Sequence, residues 1–133
     1  MATLVGGIDD RLRPYMRVEY PGADDGFIAL LDTGFNGELF LEEPAAFQLG
    51  VQLRGTSELV HLASGPVQEV RRGVVTIRWL GVVRRAEVLV AVVGSVKPRR
   101  ADDPIALVGT ALLNPHLVLL DFANRTIEIE SEA

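Results

Sequence analysis

The chain is written mostly in short apolar stretches with a period of two, broken by turn residues. "YMRVEY" (15–20) alternates cleanly: Met16, Val18 and Tyr20 on one side, Tyr15, Arg17 and Glu19 on the other. That period predicts a half-buried strand. "PGADDG" (21–26) reads as a turn cluster. "FIALLD" (27–32) reads as a buried strand, so residues 15–32 form a predicted hairpin. "GELFL" predicts another short strand. "EEPAAFQLG" (42–50) predicts one or two helical turns, with Glu42, Glu43 and Pro44 suited to its start and Gly50 to its end.

A longer β region follows. "SELVHL" (57–62) leads to an "ASG" turn, "PVQEV" and "GVVTIRW" run on to Trp79, "LG" bends the chain, and "VVRRAEVLVAVV" returns. "GSVKPRRADDP" (94–104) is polar and proline-containing, and predicts an exposed, mobile loop. "IALVG" predicts a buried strand. "TALLN" predicts a short helix closed by Pro115, because the residue before a proline disfavours the helical region. "LVLLDF" and "RTIEIE" predict two strands around an "AN" turn. No linker or low-complexity segment interrupts the pattern, so residues 1–133 read as one all-β domain. "FIALLDTG" and "PIALVGTALL" share a strand-then-turn pattern, an echo that suggests internal pseudo-symmetry.

Composition narrows the function classes. A net charge of −5 argues against nucleic acid as a partner, which requires clustered excess Lys and Arg. The pairs Arg71–Arg72, Arg84–Arg85 and Arg99–Arg100 read as solvated surface or, alternatively, a dock for an acidic peptide. No stretch approaches the roughly 18–20 apolar residues of a membrane helix. No export signal precedes "DDRLRP", so a cytoplasmic location is the default expectation. Cysteine is absent, which removes disulfides and thiolate metal sites. His61 and His116 belong to no metal-ligand motif, so neither metal nor cofactor is expected.

One acid is out of place. Asp32 ends an almost wholly apolar run, where an ionised carboxylate is costly to desolvate. Asp32 and Thr33 can simply shape a strand-ending turn. However, "ALLDTG" (29–34) resembles the active-site motif of retropepsin-like aspartic proteases, and "LVGTALL" (107–113), with Val108 and Gly109, resembles that family's second motif. The order of elements over residues 15–130 is similar to the small prokaryotic branch of clan AA aspartic proteases. The resemblance implies a closed retropepsin-like β-sheet with one or two short helices. It implies a flap over residues 57–79 with a tip at Ala63, Ser64 and Gly65, and an end strand "TIEIE" joining a dimer sheet.

It also implies chemistry. Aspartic peptidases need two carboxylates sharing one proton, one acting as base on the attacking water and the other donating to the peptide carbonyl. One motif per chain means that Asp32 meets its symmetry mate in a homodimer acting on a peptide or protein substrate. Gly34 is expected to turn the backbone tightly behind the carboxylate and to offer it an amide, and Thr33 to bond the other subunit's backbone. Phe35 and His61 are candidate cleft residues, His61 being alternatively a solvent-facing strand residue. A ring at Phe35 can fill space that a substrate would occupy. That supports the competing reading, a non-catalytic dimerisation or peptide-binding module on the same fold. Trp79 reads as core, and Asp121 as a turn or sheet-edge acid.

Overall fold

The computed structural model describes residues 2–21, 23–61, 67–92 and 104–131. Ten strands form one sheet: β1 (Thr3–Ile8), β2 (Pro14–Tyr20), β3 (Ala23–Leu31), β4 (Leu39–Glu42), β5 (Gln52–His61), β6 (Val67–Trp79), β7 (Val82–Ala91), β8 (Ala106–Val108), β9 (Leu117–Asp121) and β10 (Thr126–Glu130). Helix α1 (Glu43–Gln48) follows β4, and α2 (Thr110–Leu113) follows β8. The strand order is β5-β6-β7-β4-β8-β3-β2-β1-β10-β9, and a further β2–β6 pairing closes the six strands from β6 to β2 into a barrel. β5 extends from one side of this barrel, and β1, β10 and β9 from the other.

Alternation decides what fills the barrel. Met16, Val18 and Ala29 of the β2–β3 hairpin point inward and are buried, while Arg17 and Glu19 face out. Leu39, Leu41, Ile77, Val88, Val90, Val108 and Leu112 complete the buried layer. Burying each such side chain contributes about 1.5–3 kcal/mol. Trp79 lies in this core. Ile127 and Ile129 of β10 are buried while Glu128 is exposed, as the period of "TIEIE" requires.

α1 carries Pro44 in its first turn, and Gly50 past its end has φ +71°, the left-handed conformation that glycine supplies without steric cost. α2 stops at Leu113, and Asn114 before Pro115 is extended.

Several boundaries differ from the sequence reading. β1 has no counterpart in it. The 21–26 turn cluster is shorter than expected, because β3 already pairs with β2 at Tyr20↔Ala23. Gly26, at φ +64°, sits where the register shifts in a bulge. β5 begins at Gln52, and β6 runs unbroken from Val67 to Trp79. The flap-tip residues Ala63, Ser64 and Gly65 lie outside the described residues, as do residues 94–103 of the polar loop. β10 is paired on both sides within its own chain, with β1 and with β9, so "TIEIE" presents no open edge.

Candidate functional site

Asp32 follows the last residue of β3. Its amide donates to the Val108 carbonyl at 2.9 Å, continuing the parallel β3–β8 ladder by one residue. Its Oδ1 accepts the Gly34 amide at 2.9 Å, and its carbonyl accepts the Phe35 amide at 3.2 Å. The carboxylate is thus aimed by its own loop and left half-buried. Gly34 donates its amide as anticipated, but its backbone is not in the left-handed region. What favours glycine there is space: a Cβ would stand 3.2 Å from Asp32 Oδ1.

The second motif locks onto the first through main-chain bonds. The Thr110 amide donates to the Phe35 carbonyl at 2.8 Å, with the Thr110 hydroxyl adding a longer bond at 3.3 Å. The Ala111 amide donates to Gly37 O, and the Gly109 amide to Glu38 O at 2.9 Å. A Cβ on Gly109 would lie 2.2 Å from Gly37 O, so only glycine permits this approach. Sequence reasoning paired Val108 and Gly109 with the Asp32 loop, and they meet it directly. It missed Thr110, whose hydroxyl beside a Gly at a strand-to-helix junction is the available signal.

Thr33 is exposed, and its hydroxyl bonds no described residue of its own chain. The Phe35 ring is half-buried, packs edge-on against Phe40 with centroids 5.9 Å apart, and covers Gly37 and Gly109. It lines the adjacent cleft without closing it. That cleft, about 660 Å³, runs from Asp32 between the 34–40 loop and the β5–β6 hairpin. Val60 and His61 line it from β5, so the structure places His61 both on the exposed strand face and at the cleft.

The exit of the Asp32 loop is clamped by a residue the sequence did not single out. Glu38, with its side chain 16% exposed, accepts from Arg84 Nη2 through Oε2 and from the Glu87 amide through Oε1. It fixes the start of β4 against β7, where the two strands pair in parallel. Arg84 is therefore a partner in an ion pair and not merely solvated surface. Arg72 likewise pairs with Glu58. Among the described residues no three His, Asp or Glu side chains cluster as metal ligands, and no helix is long and apolar enough to cross a membrane.

The β3–loop–β4 and β8–α2 units, joined at their turns and walled by a β-hairpin, make this a retropepsin-like fold. The chain is similar to a retropepsin-like aspartic protease from Rickettsia conorii, with a TM-score of 0.63 over 96% of this chain and 89% of that one, at 13% identity. It is similar to EIAV protease complexed with the inhibitor HBY-793, with a TM-score of 0.54 over 76% of this chain and 85% of that one, at 24% identity. It is also similar to basic 7S globulin from soybean, with a TM-score of 0.59 and 10% identity; 98% of this chain matches 50% of the globulin. No protein-family model matches the sequence, and no curated protein does.

Proposed function

We propose that the chain is one subunit of a homodimeric aspartic peptidase in which Asp32 of each subunit carries the chemistry. The observation that supports this best is the setting of Asp32: a half-buried carboxylate, aimed by the Gly34 amide, at the mouth of a 660 Å³ cleft. The choice of a second chain as the source of the other carboxylate is supported by Gly109. β3 and β8 pair at Ala29↔Ala106 and Leu31↔Val108, so Gly109 is the position beside Asp32 in the second unit. A side chain there collides with Gly37 O, so the second unit supplies no carboxylate from that position. A peptide laid along the cleft against Val60 and His61 would present its carbonyl to the pair. One carboxylate takes a proton from the attacking water while the other donates to the carbonyl oxygen. Thr33, exposed beside Asp32, is positioned by this reading to bond the partner's backbone.

The test is cleavage of a proteome-derived peptide library from about pH 4 to pH 7, an interval spanning the working range of a carboxylate pair. Wild type should cleave, lose activity toward the alkaline side, and be inhibited by a pepstatin-like mimic of the tetrahedral intermediate. Asp32→Asn should be inactive and folded. Full activity in Asp32→Asn sinks the assignment. The apolar lining from Phe35, Phe40, Val60 and Leu107 favours a second reading, a peptide-binding module. Peptide capture without cleavage by either protein selects it.

A further inference from the structure

One cross-strand row runs over the outer face of the sheet, and its chemistry changes along its length. Arg54 of β5 stands opposite Arg72 of β6, Arg72 beside Leu89 of β7, and Leu89 beside Phe40 of β4. Phe40 in turn lies beside Leu107 of β8, and Leu107 beside Leu30 of β3. Partners in register point to the same face, so these side chains form one track. From Arg54 to Leu107 the track lines the Asp32 cleft. Phe40, Leu107 and Leu30 carry it into an adjoining hollow of about 500 Å³. An apolar track thus ends in a pair of opposed guanidinium groups. Like charges directly opposite each other destabilise a strand pair unless a counter-charge intervenes. Arg72 has one: its Nε and Nη2 reach Glu58 Oε1 at 2.9 and 2.7 Å. For Arg54, among the described residues, no hydrogen bond or ion pair engages the guanidinium. The acids of the same cleft lie on the neighbouring row, where Glu87 stands opposite Val74, Glu38 accepts the Glu87 amide, and Asp32 follows β3. The cleft is therefore graded in charge, acidic beside Asp32 and basic at its β5–β6 end.

We propose that Arg54 and Arg72 are the specificity-determining pair of this cleft, and that they select an extended peptide with an acidic side chain. The peptide lays apolar side chains along Leu89, Phe40 and Leu107 and sets one carboxylate between the two guanidinium groups. That selection rests on the cleft being a peptide site, as proposed above, and names the class of peptide it takes. The carboxylate accepts charge-assisted hydrogen bonds from Arg54 and relieves its opposition to Arg72. An acid placed instead over Glu87 and Asp32 meets like charge and is rejected, so the grading sets position as well as preference. Four to five strand spacings separate the arginine pair from β3. That is at most about 20 Å along the sheet, so the acid stands within about six extended residues of the Asp32 end. In a chain of net charge −5, an arginine without a counter-charge at a cleft wall is the feature that calls for an anion from outside.

The test is fluorescence anisotropy with the full Asp32→Asn chain, so that binding is read apart from cleavage. The probes are two pools of labelled, C-terminally amidated apolar octapeptides, one carrying a single Glu at each position in turn and the other a single Gln. The best Glu peptide should bind about 10-fold more tightly than its Gln counterpart, the scale of a charged hydrogen bond. The ratio should hold at about 50 mM salt and shrink toward one at about 500 mM. Arg54→Gln should abolish the ratio, and Arg54→Glu should turn it toward a Lys pool. Arg78→Gln, on β6 but outside the cleft lining, should leave it unchanged. Equal affinity for Glu and Gln peptides, binding of neither pool, or a preference that survives Arg54→Gln each overturns the selection. A free C-terminus that strengthens the Gln pool as much as Glu does assigns the anion to a chain end and overturns it too. Cleavage by wild type decides the other reading separately. Selective binding of Glu peptides with no cleavage sinks the peptidase reading and leaves the selection. Cleavage of both pools with equal kcat/KM and equal affinity does the reverse.

Discussion

Ile28–Ala29–Leu30–Leu31–Asp32 and Ile105–Ala106–Leu107–Val108–Gly109 are near-copies in sequence, and they lie side by side in register as β3 and β8. The Ile105 amide even donates to Ile28 O, extending the match to its first residue. The two units then part. The first ends in a carboxylate on an open loop that reaches β4 only after six more residues. The second ends in a glycine pressed onto Gly37 O and turns at once into α2. One unit presents an open carboxylate, and the other supplies the tight contact that braces its loop. The difference teaches that a repeated strand can be kept for packing while only one copy ends in a carboxylate.

The comparison breaks most visibly at Asp32. Asp32→Asn should lower peptide cleavage on the order of 10³-fold, the scale of a lost acid–base group, with the urea midpoint unchanged or raised. Gly109→Ala should act on the other unit and on the other quantity. Its Cβ meets backbone, which no rotamer change relieves, so unfolding free energy should drop by about 2–3 kcal/mol by urea titration at constant m. Gly34→Ala, whose Cβ meets only the Asp32 side chain at 3.2 Å, should cost about 1 kcal/mol or less. Equal losses at the two glycines would erase the distinction between the units. Glu38→Gln sharpens it further, because only the first loop leaves through a side-chain clamp. Loss of the ion pair to the half-exposed Arg84 should cost about 1 kcal/mol in thermal or urea unfolding.

The smallest effect belongs to a second Leu-Leu-Asp, residues 119–121. Hydrogen bonds from the Asn124 side chain and then its amide hold the Asp121 carboxyl below its ordinary value. A lowered folded value means that its contribution is complete above the unfolded carboxylate's ordinary pKa, about 3.9, and is lost as pH falls through the lowered one. Asp121→Asn should therefore lower stability slightly at neutral pH and flatten the acid limb, so that variant and wild type converge as pH falls below about 4. Asp9, lowered because its hydrogen bonds to Arg13 and Arg11 outweigh the opposing effect of desolvation, contributes to the same limb with the same sign.

Much of this was legible because the barrel strands alternate. Met16/Val18 and Ile127/Ile129 declared their inward faces, and the junctions at Gly50 and Pro115 declared helix ends. β1 was not legible. Its second half carries Gly6–Gly7, residues of low strand propensity, and a Cβ on Gly6 would lie 2.0 Å from Tyr15 O. The first half of β5 was not legible either, because a strand that packs on no core has no hydrophobic period to read. Asp24 and Asp25 suggested a long turn where β3 has already begun. At the site, Asp32, Gly34 and Gly109 stood out by contrast with apolar neighbours. Glu38 did not, since its partners Arg84 and Glu87 are distant in sequence and only the parallel β4–β7 pairing joins them.

The bonds that join the two loops run to carbonyls of Phe35, Gly37, Glu38 and Val108. Apart from the longer Thr110 hydroxyl bond they are main chain to main chain, and they ask nothing of the Asp32 side chain they frame. Heredity can therefore act on the two separately: a single codon change at Asp32 removes the carboxylate and leaves in place every main-chain bond that joins the loops.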